Sequence, residues 1–192
     1  MCGRYTLFTD TDSREIMRII QEVSRRHPER EVKTGEIFPT NAAPVLLRQG
    51  AHIQADVFGW GFPKFGGSAG VIINARSETA QDKPMFRNSL LFRRCVVPST
   101  GFYEWSQDRA HQKYLFTRPG DSALYMAGLY NVFDGQPRYV ILTRAANSWM
   151  RDIHHRMPVI LPPDQLESWC SAPVEQAAKL LQCAPELARQ AV

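Results

Sequence analysis

Val45-Leu46-Leu47-Arg48-Gln49-Gly50-Ala51-His52-Ile53-Gln54-Ala55-Asp56-Val57-Phe58-Gly59-Trp60 reads as two short β-type segments, 45–47 and 53–60, with a glycine between them. The same texture continues downstream at 71–73, 95–97, 113–117, 124–127, 139–143 and 159–161, with Gly, Pro and Asp clusters as separators. Upstream, a short strand over 4–8 precedes Asp10, Asp12 and Ser13, which offer a helix N-cap. Ile16, Ile19, Ile20 and Val23 then recur at helical spacing and predict a helix over 13–26, stopped by Pro28. Arg14, Arg18, Arg25 and Arg26 fall on its polar face, the pattern of a solvated surface. A second helix is expected over 84–92, where Met85, Phe86, Leu90 and Leu91 are apolar. The chain end reads as helical through Leu166, Trp169, Val174, Ala177, Ala178, Leu180 and Leu181, with Ala191-Val192 inside that stretch. The expected fold class is α+β: a bent, barrel-like, mostly antiparallel sheet flanked by helices, in a single domain over 1–192.

Composition is that of an ordinary globular chain, with 44% hydrophobic and 22% charged residues in 192. No apolar run approaches the ~18 residues of a membrane span, and no signal-peptide pattern follows Arg4. A protein without membrane contact, in the cytoplasm, is therefore expected. Cys2, Cys95, Cys170 and Cys183 are scattered, without a C-x-x-C pair, so reduced thiols are the default. A net charge of +4 favours a polyanionic partner without requiring one.

The chemistry-bearing segments begin at Met1-Cys2-Gly3-Arg4-Tyr5. Removing Met1 would leave Cys2 with an α-amine and a thiol on adjacent carbons, their ordinary pKa values being about 7.7–8.0 and 8.5. An aldehyde meeting that pair can be captured as an imine and closed by sulfur into a thiazolidine. The alternative is a small, buried, inert cysteine. Glu104, between Tyr103 and Trp105, is expected to lose solvent and titrate above the usual carboxylate range; a buried salt bridge to an arginine is the competing reading. Asn74 follows an apolar strand, where it could serve the site or cap the strand end. His154 and His155 are adjacent, so in extended chain they point to opposite faces and only one can enter a site. Cys2, His154 and His155 lack metal-ligand spacing and a fourth ligand. Neither a glycine-rich phosphate loop nor G-x-S-x-G is present, which disfavours nucleotide binding and serine hydrolysis.

Seven ordered motifs resemble the SRAP family, the SOS-response-associated peptidases or abasic-site processing proteins. They are Met1-Cys2-Gly3-Arg4-Tyr5, Phe38-Pro39-Thr40-Asn41-Ala42-Ala43-Pro44, Trp60-Gly61-Phe62-Pro63, Asn74-Ala75-Arg76-Ser77-Glu78-Thr79, Arg93-Arg94-Cys95-Val96-Val97-Pro98 running into Gly101-Phe102-Tyr103-Glu104-Trp105, Met126-Ala127-Gly128-Leu129, and Ile153-His154-His155-Arg156-Met157-Pro158. The resemblance implies that Cys2, exposed by Met1 removal, crosslinks the ring-opened abasic deoxyribose of single-stranded DNA as a thiazolidine that shields the lesion. It implies that Asn74 orients the sugar and the amine, that Glu104 shuttles protons, and that His154 serves ring opening and reversal. Arg4, Arg76 and Arg156 match phosphate-holding arginines, and Thr143 a further backbone contact. Trp60, Phe62 and Phe65 lie where the family places a wedge against a second strand, with core packing as the alternative for each. A monomer without cofactor or metal is implied, associated with the nucleoid when damaged DNA is bound. The family usually continues past the last helices, and residues 63–70 are glycine-rich where some members carry paired tryptophans. Two other functions stay open: an N-terminal-nucleophile peptidase that also releases its own leader, and a non-covalent single-stranded DNA-binding module. Strand cleavage by β-elimination of the imine would be a side reaction.

Overall fold

The computed structural model describes residues 2–9, 13–64, 66, 68–120 and 123–192. Asp10 and Asp12, offered as caps, and Phe65, offered as part of a wedge, lie outside the described residues. The strands are β1 (Arg4–Leu7), β2 (Gly35–Ile37), β3 (Ala42–Gln49), β4 (His52–Trp60), β5 (Phe62–Pro63), β6 (Val71–Ile72), β7 (Asn74–Arg76), β8 (Arg94–Ser99), β9 (Gly101–Trp105), β10 (Lys113–Thr117), β11 (Leu124–Phe133), β12 (Gln136–Ala145), β13 (Arg156–Pro158), β14 (Ile160–Leu161) and β15 (Ala188–Ala191). The helices are α1 (Arg14–Arg26), α2 (Pro84–Phe92), α3 (Leu166–Ser171) and α4 (Val174–Leu180).

β3 and β4 form a hairpin, with Gln49 opposite His52 and Gly50 at φ +66°, a turn conformation that L side chains resist. The hairpin opens a ring: β4 runs parallel to β12, β12 pairs antiparallel with β11, β11 with β8, and β8 with β3. The five strands thus close on themselves and leave no edge between them. Val45, Val57, Val97, Met126, Leu129 and Ile141 are among its buried residues. A second antiparallel sheet, in the order β15-β10-β9-β1-β2, lies alongside. The two are tied by the phenols of Tyr5 on β1 and Tyr139 on β12, 2.6 Å apart and fully buried. The expected α+β class with a barrel-like, mostly antiparallel sheet is what the chain forms.

Two local expectations, for the chain end and for Arg26, are corrected, and one strand is added. The chain end is helical as expected over Leu166–Ser171 and Val174–Leu180, but its last residues are not: β15 adds to β10, Ala191 opposite Tyr114, and extends that sheet's ladder. The segment 101–105 is itself a strand, so Glu104 sits on a rigid element. On α1, Ser13 caps the helix through its hydroxyl, and Ile16, Ile19 and Val23 are buried as the spacing requires. Arg14, Arg18 and Arg25 are exposed, whereas Arg26 leaves the solvated face and donates to the Ala55 carbonyl at 2.6 Å and to Gln49 Oε1 at 2.8 Å.

Arg94 joins the helices to the barrel. Its buried guanidinium donates to the carbonyls of Trp169 at 2.6 Å, Leu90 at 2.7 Å and Leu91 at 3.0 Å, and to Ala172. These groups at the ends of α2 and α3 lack helical partners of their own. Arg94→Met orphans them together, and we expect a loss of about 3 kcal/mol or more in urea denaturation.

Candidate active site

The site forms where the start of β1, the start of β7, the middle of β9 and the turn before β13 meet. Asn74 opens β7, which lies parallel to β12 with Asn74 opposite Ile141. Its Nδ2 donates to the Cys2 carbonyl at 2.9 Å, fixing the residue that carries the thiol. Its Oδ1 is buried and has no hydrogen-bond partner among the described residues. An acceptor beside the Cys2 backbone is thus left for an N–H or O–H brought from elsewhere.

Cys2 is fully buried, and its Sγ lies 3.7 Å from the Arg4 carbonyl. Burial pushes the thiol far above its usual range, and the Glu104 carboxylate adds to the rise. Glu104, opposite Tyr114 on β10, is 4% exposed, and burial raises its carboxyl above 4.5. His154 is buried while His155 is exposed. Burial chiefly drives the His154 imidazole down from 6.5 to about 4, so it is neutral at physiological pH. The Arg156 backbone N–H lies 2.9 Å and the Arg156 carbonyl 3.2 Å from the His154 Nδ1, which fixes the ring.

The adjacent imidazoles do not diverge as extended chain would require. They stack with centroids 4.4 Å apart, because residues 151–155 form turns and a bend rather than a strand.

The arginines divide. Arg76 is exposed next to Asn74. Arg4 donates to Glu36 at 3.2 Å and packs over Phe38 and Trp105, its carbon 4.3 and 5.2 Å from the ring centres. Arg156 makes a bidentate pair with Glu78, at 2.7 and 2.8 Å, and donates to the Thr143 carbonyl at 2.7 Å. Asn74, Arg76 and Lys83, with the apolar Ile72, Pro84, Met85 and Phe86, line a cavity of about 680 Å³ beside the site.

Three sequence expectations are redirected by burial. Trp60, Phe62 and Thr143 are all fully buried, so none presents a surface for DNA in this conformation. Trp60 donates from Nε1 to the Ile73 carbonyl at 3.1 Å and stacks on Tyr139, which positions the residue before Asn74. Phe62 packs against Phe86 and Phe133. Thr143 Oγ1 lies 3.4 Å from the Ala75 carbonyl and 3.3 Å from Arg156, tying β7 to β12.

The family model for SOS response associated peptidase (SRAP) matches residues 1–192. The chain belongs to the SRAP family. Abasic site processing protein YoqW of Bacillus subtilis is 35% identical over 188 residues, covering 88% of this chain and 80% of the relative. Abasic site processing protein YedK of Escherichia coli is 26% identical, covering 88% and 79%. A crystal structure of a protein from Bacteroides thetaiotaomicron superposes with a TM-score of 0.80 at 22% identity, covering 100% of this chain and 92% of that one. No helix among the described residues of this SRAP chain is long and apolar enough to cross a membrane.

Sequence reasoning quoted Glu78 without giving it a task. It stands four residues after Asn74, past the end of β7, within reach of the β12–β13 ladder. There it also accepts from the Ala145 N–H at 3.2 Å. Arg156 holds its carboxyl at about 2, below the usual 4.5. A lowered folded-state pKa stabilises the fold above the unfolded value, and that stability is lost as pH falls toward about 2. Glu78→Gln is therefore expected to lower Tm at neutral pH, with the deficit shrinking as the solution is acidified from about 4.5 toward 2.

Proposed function

We propose that this SRAP protein processes abasic sites by linking Cys2, freed of Met1, to the ring-opened deoxyribose of single-stranded DNA as a thiazolidine. The observation that carries this reading is the Asn74 amide. One end holds the Cys2 carbonyl, and the other is a buried acceptor without a partner among the described residues, suited to an incoming amine or sugar hydroxyl. The relatives named abasic site processing proteins supply the substrate class.

The chemistry balances without oxidant or cofactor. The Cys2 amine adds to the aldehyde carbon, and Glu104 takes the amine's proton and returns it to the departing hydroxyl. Water leaves and an imine forms. The sulfur then adds to the same carbon while the thiol proton passes to nitrogen, so aldehyde plus aminothiol gives thiazolidine plus water. A carboxyl raised by burial suits a group that must both accept and donate. Neutral His154 serves the opening of the sugar ring. Arg4 and Arg76 take flanking phosphates, and Arg156, held by Glu78, completes the wall behind His154. The cavity beside Asn74, apolar with Arg76 and Lys83 at hand, suits an unpaired base rather than a duplex. A buried, protonated Cys2 thiol favours attack by the amine first and disfavours thiolate attack on external peptides.

Denaturing electrophoresis tests this reading with single-stranded abasic, duplex abasic and undamaged strands. A heat-stable adduct confined to the single-stranded abasic oligonucleotide is expected. Equal adduct on the duplex removes the strand selectivity, and no adduct on any strand refutes crosslinking.

A further inference from the structure

Beyond the lesion pocket, a groove of about 620 Å³ is lined by Ser148, Trp149, Arg151, Asp152, Leu187 and Arg189. Trp149 is 45% exposed, a large apolar ring left in water. Nothing in the crosslinking chemistry uses it.

Its placement is not arbitrary. In the β9-β10-β15 ladder, Glu104 faces Tyr114 and Tyr114 faces Ala191, while Arg189 faces Phe116. Cross-strand partners and residues two apart share a face of the sheet, so Glu104, Tyr114 and Arg189 lie on one face. The Arg189 guanidinium stands over the Tyr114 ring, 6.0 Å from its centre. Two strand spacings separate β9 from β15, about 10 Å. The other wall follows the same course, because His154 and Trp149 belong to one run of turns in which the Met150 carbonyl accepts from the His154 N–H at 3.0 Å. Both walls of the site, the sheet face bearing Glu104 and the turn bearing His154, therefore run on into the Trp149 groove. The charge there suits a polyanion: Arg151 is exposed, and Asp152 is neutralised by Arg189, with both carboxylate oxygens at 2.6 Å.

We infer that the Trp149 groove is a nucleotide subsite: an unpaired base one or two positions from the lesion stacks on Trp149 while Arg151 holds its phosphate. An aromatic face with a cation beside it is the usual platform for single-stranded nucleic acid and is indifferent to base identity. This subsite rests on the proposed single-stranded DNA substrate and extends it by one residue-specific contact.

The test is fluorescence anisotropy with single-stranded oligonucleotides carrying a tetrahydrofuran abasic analogue, which has no aldehyde and reports binding alone. Trp149→Ala is expected to weaken binding by about 10-fold, and Trp149→Phe by no more than about threefold. Arg151→Gln is expected to reduce the salt slope by about 0.7. Bases on each side of the lesion are then removed one at a time. At the stacked position, removal costs the wild type what Trp149→Ala costs it, and costs the variant nothing more. Binding by Trp149→Ala within about twofold of wild type on every oligonucleotide overturns the subsite, and if the wild type still crosslinks an aldehyde site the crosslinking reading stands. A Trp149→Ala defect in a protein that crosslinks nothing keeps the subsite and refutes the crosslinking.

Discussion

Cys2→Ala eliminates the heat-stable adduct with an abasic oligonucleotide, and Cys2→Ser leaves only an adduct that must be trapped with borohydride. Both variants keep the α-amine once Met1 is removed, so both can form the imine. Neither can close it with sulfur. The imine then either hydrolyses or undergoes β-elimination, and strand nicking by the variants rises relative to adduct. Cys2 is fully buried, so the Tm of each variant is measured alongside. The alanine leaves a small void, and the serine places a hydroxyl where a thiol met the Arg4 carbonyl. Retention of a stable adduct by either variant at a wild-type level would show that sulfur does not seal the link.

Glu104→Gln is expected to slow crosslinking by about 100- to 10,000-fold, the usual contribution of a positioned proton-transfer group. The amide matches the carboxyl in shape but can neither accept nor return a proton. The wild-type rate should fall on the acid side through an apparent pKa above the ordinary carboxylate range, because burial disfavours the charged form. That acid limb should be missing in the variant. Stability should move the other way. A carboxyl whose pKa is raised by folding favours the fold while protonated, and that contribution is lost as pH rises through the folded value. Glu104→Gln is thus expected to raise Tm at neutral pH, and the gain should vanish below about 4.5, where the wild-type group is protonated in both states. A variant that is slower and less stable at neutral pH would instead make Glu104 a structural partner of a buried cation.

The barrel strands were legible because alternation over 53–60 and the apolar run at 139–143 meet a period of two, and the strand ring follows those segments. α1 and α2 were legible for the matching reason at the helical period. The chain end misled because Leu166, Trp169, Val174 and Ala177 do lie on helices, and no local pattern marks the point where Ala188–Ala191 turns outward to pair with β10. Burial of Glu104 could be read from Tyr103 and Trp105, since flanking aromatics exclude water. The fate of Trp60 could not, because an aromatic at a strand end serves a core and a stacking surface equally well. Its complete burial and its hydrogen bond to Ile73 decide between them. The clamp of Arg156 by Glu78 depends on the parallel pairing of β7 with β12, which no local spacing encodes.

The central claim is a bond between Cys2 and a sugar, and intact-protein mass spectrometry reads it directly. Protein whose mass shows Cys2 at the amino terminus is incubated, without reductant, with a single-stranded oligonucleotide containing one abasic site. The account predicts a species with the mass of protein plus oligonucleotide less one water, whose digest places the link on Cys2. Unmodified protein under those conditions, with its terminal amine and thiol free, would contradict it.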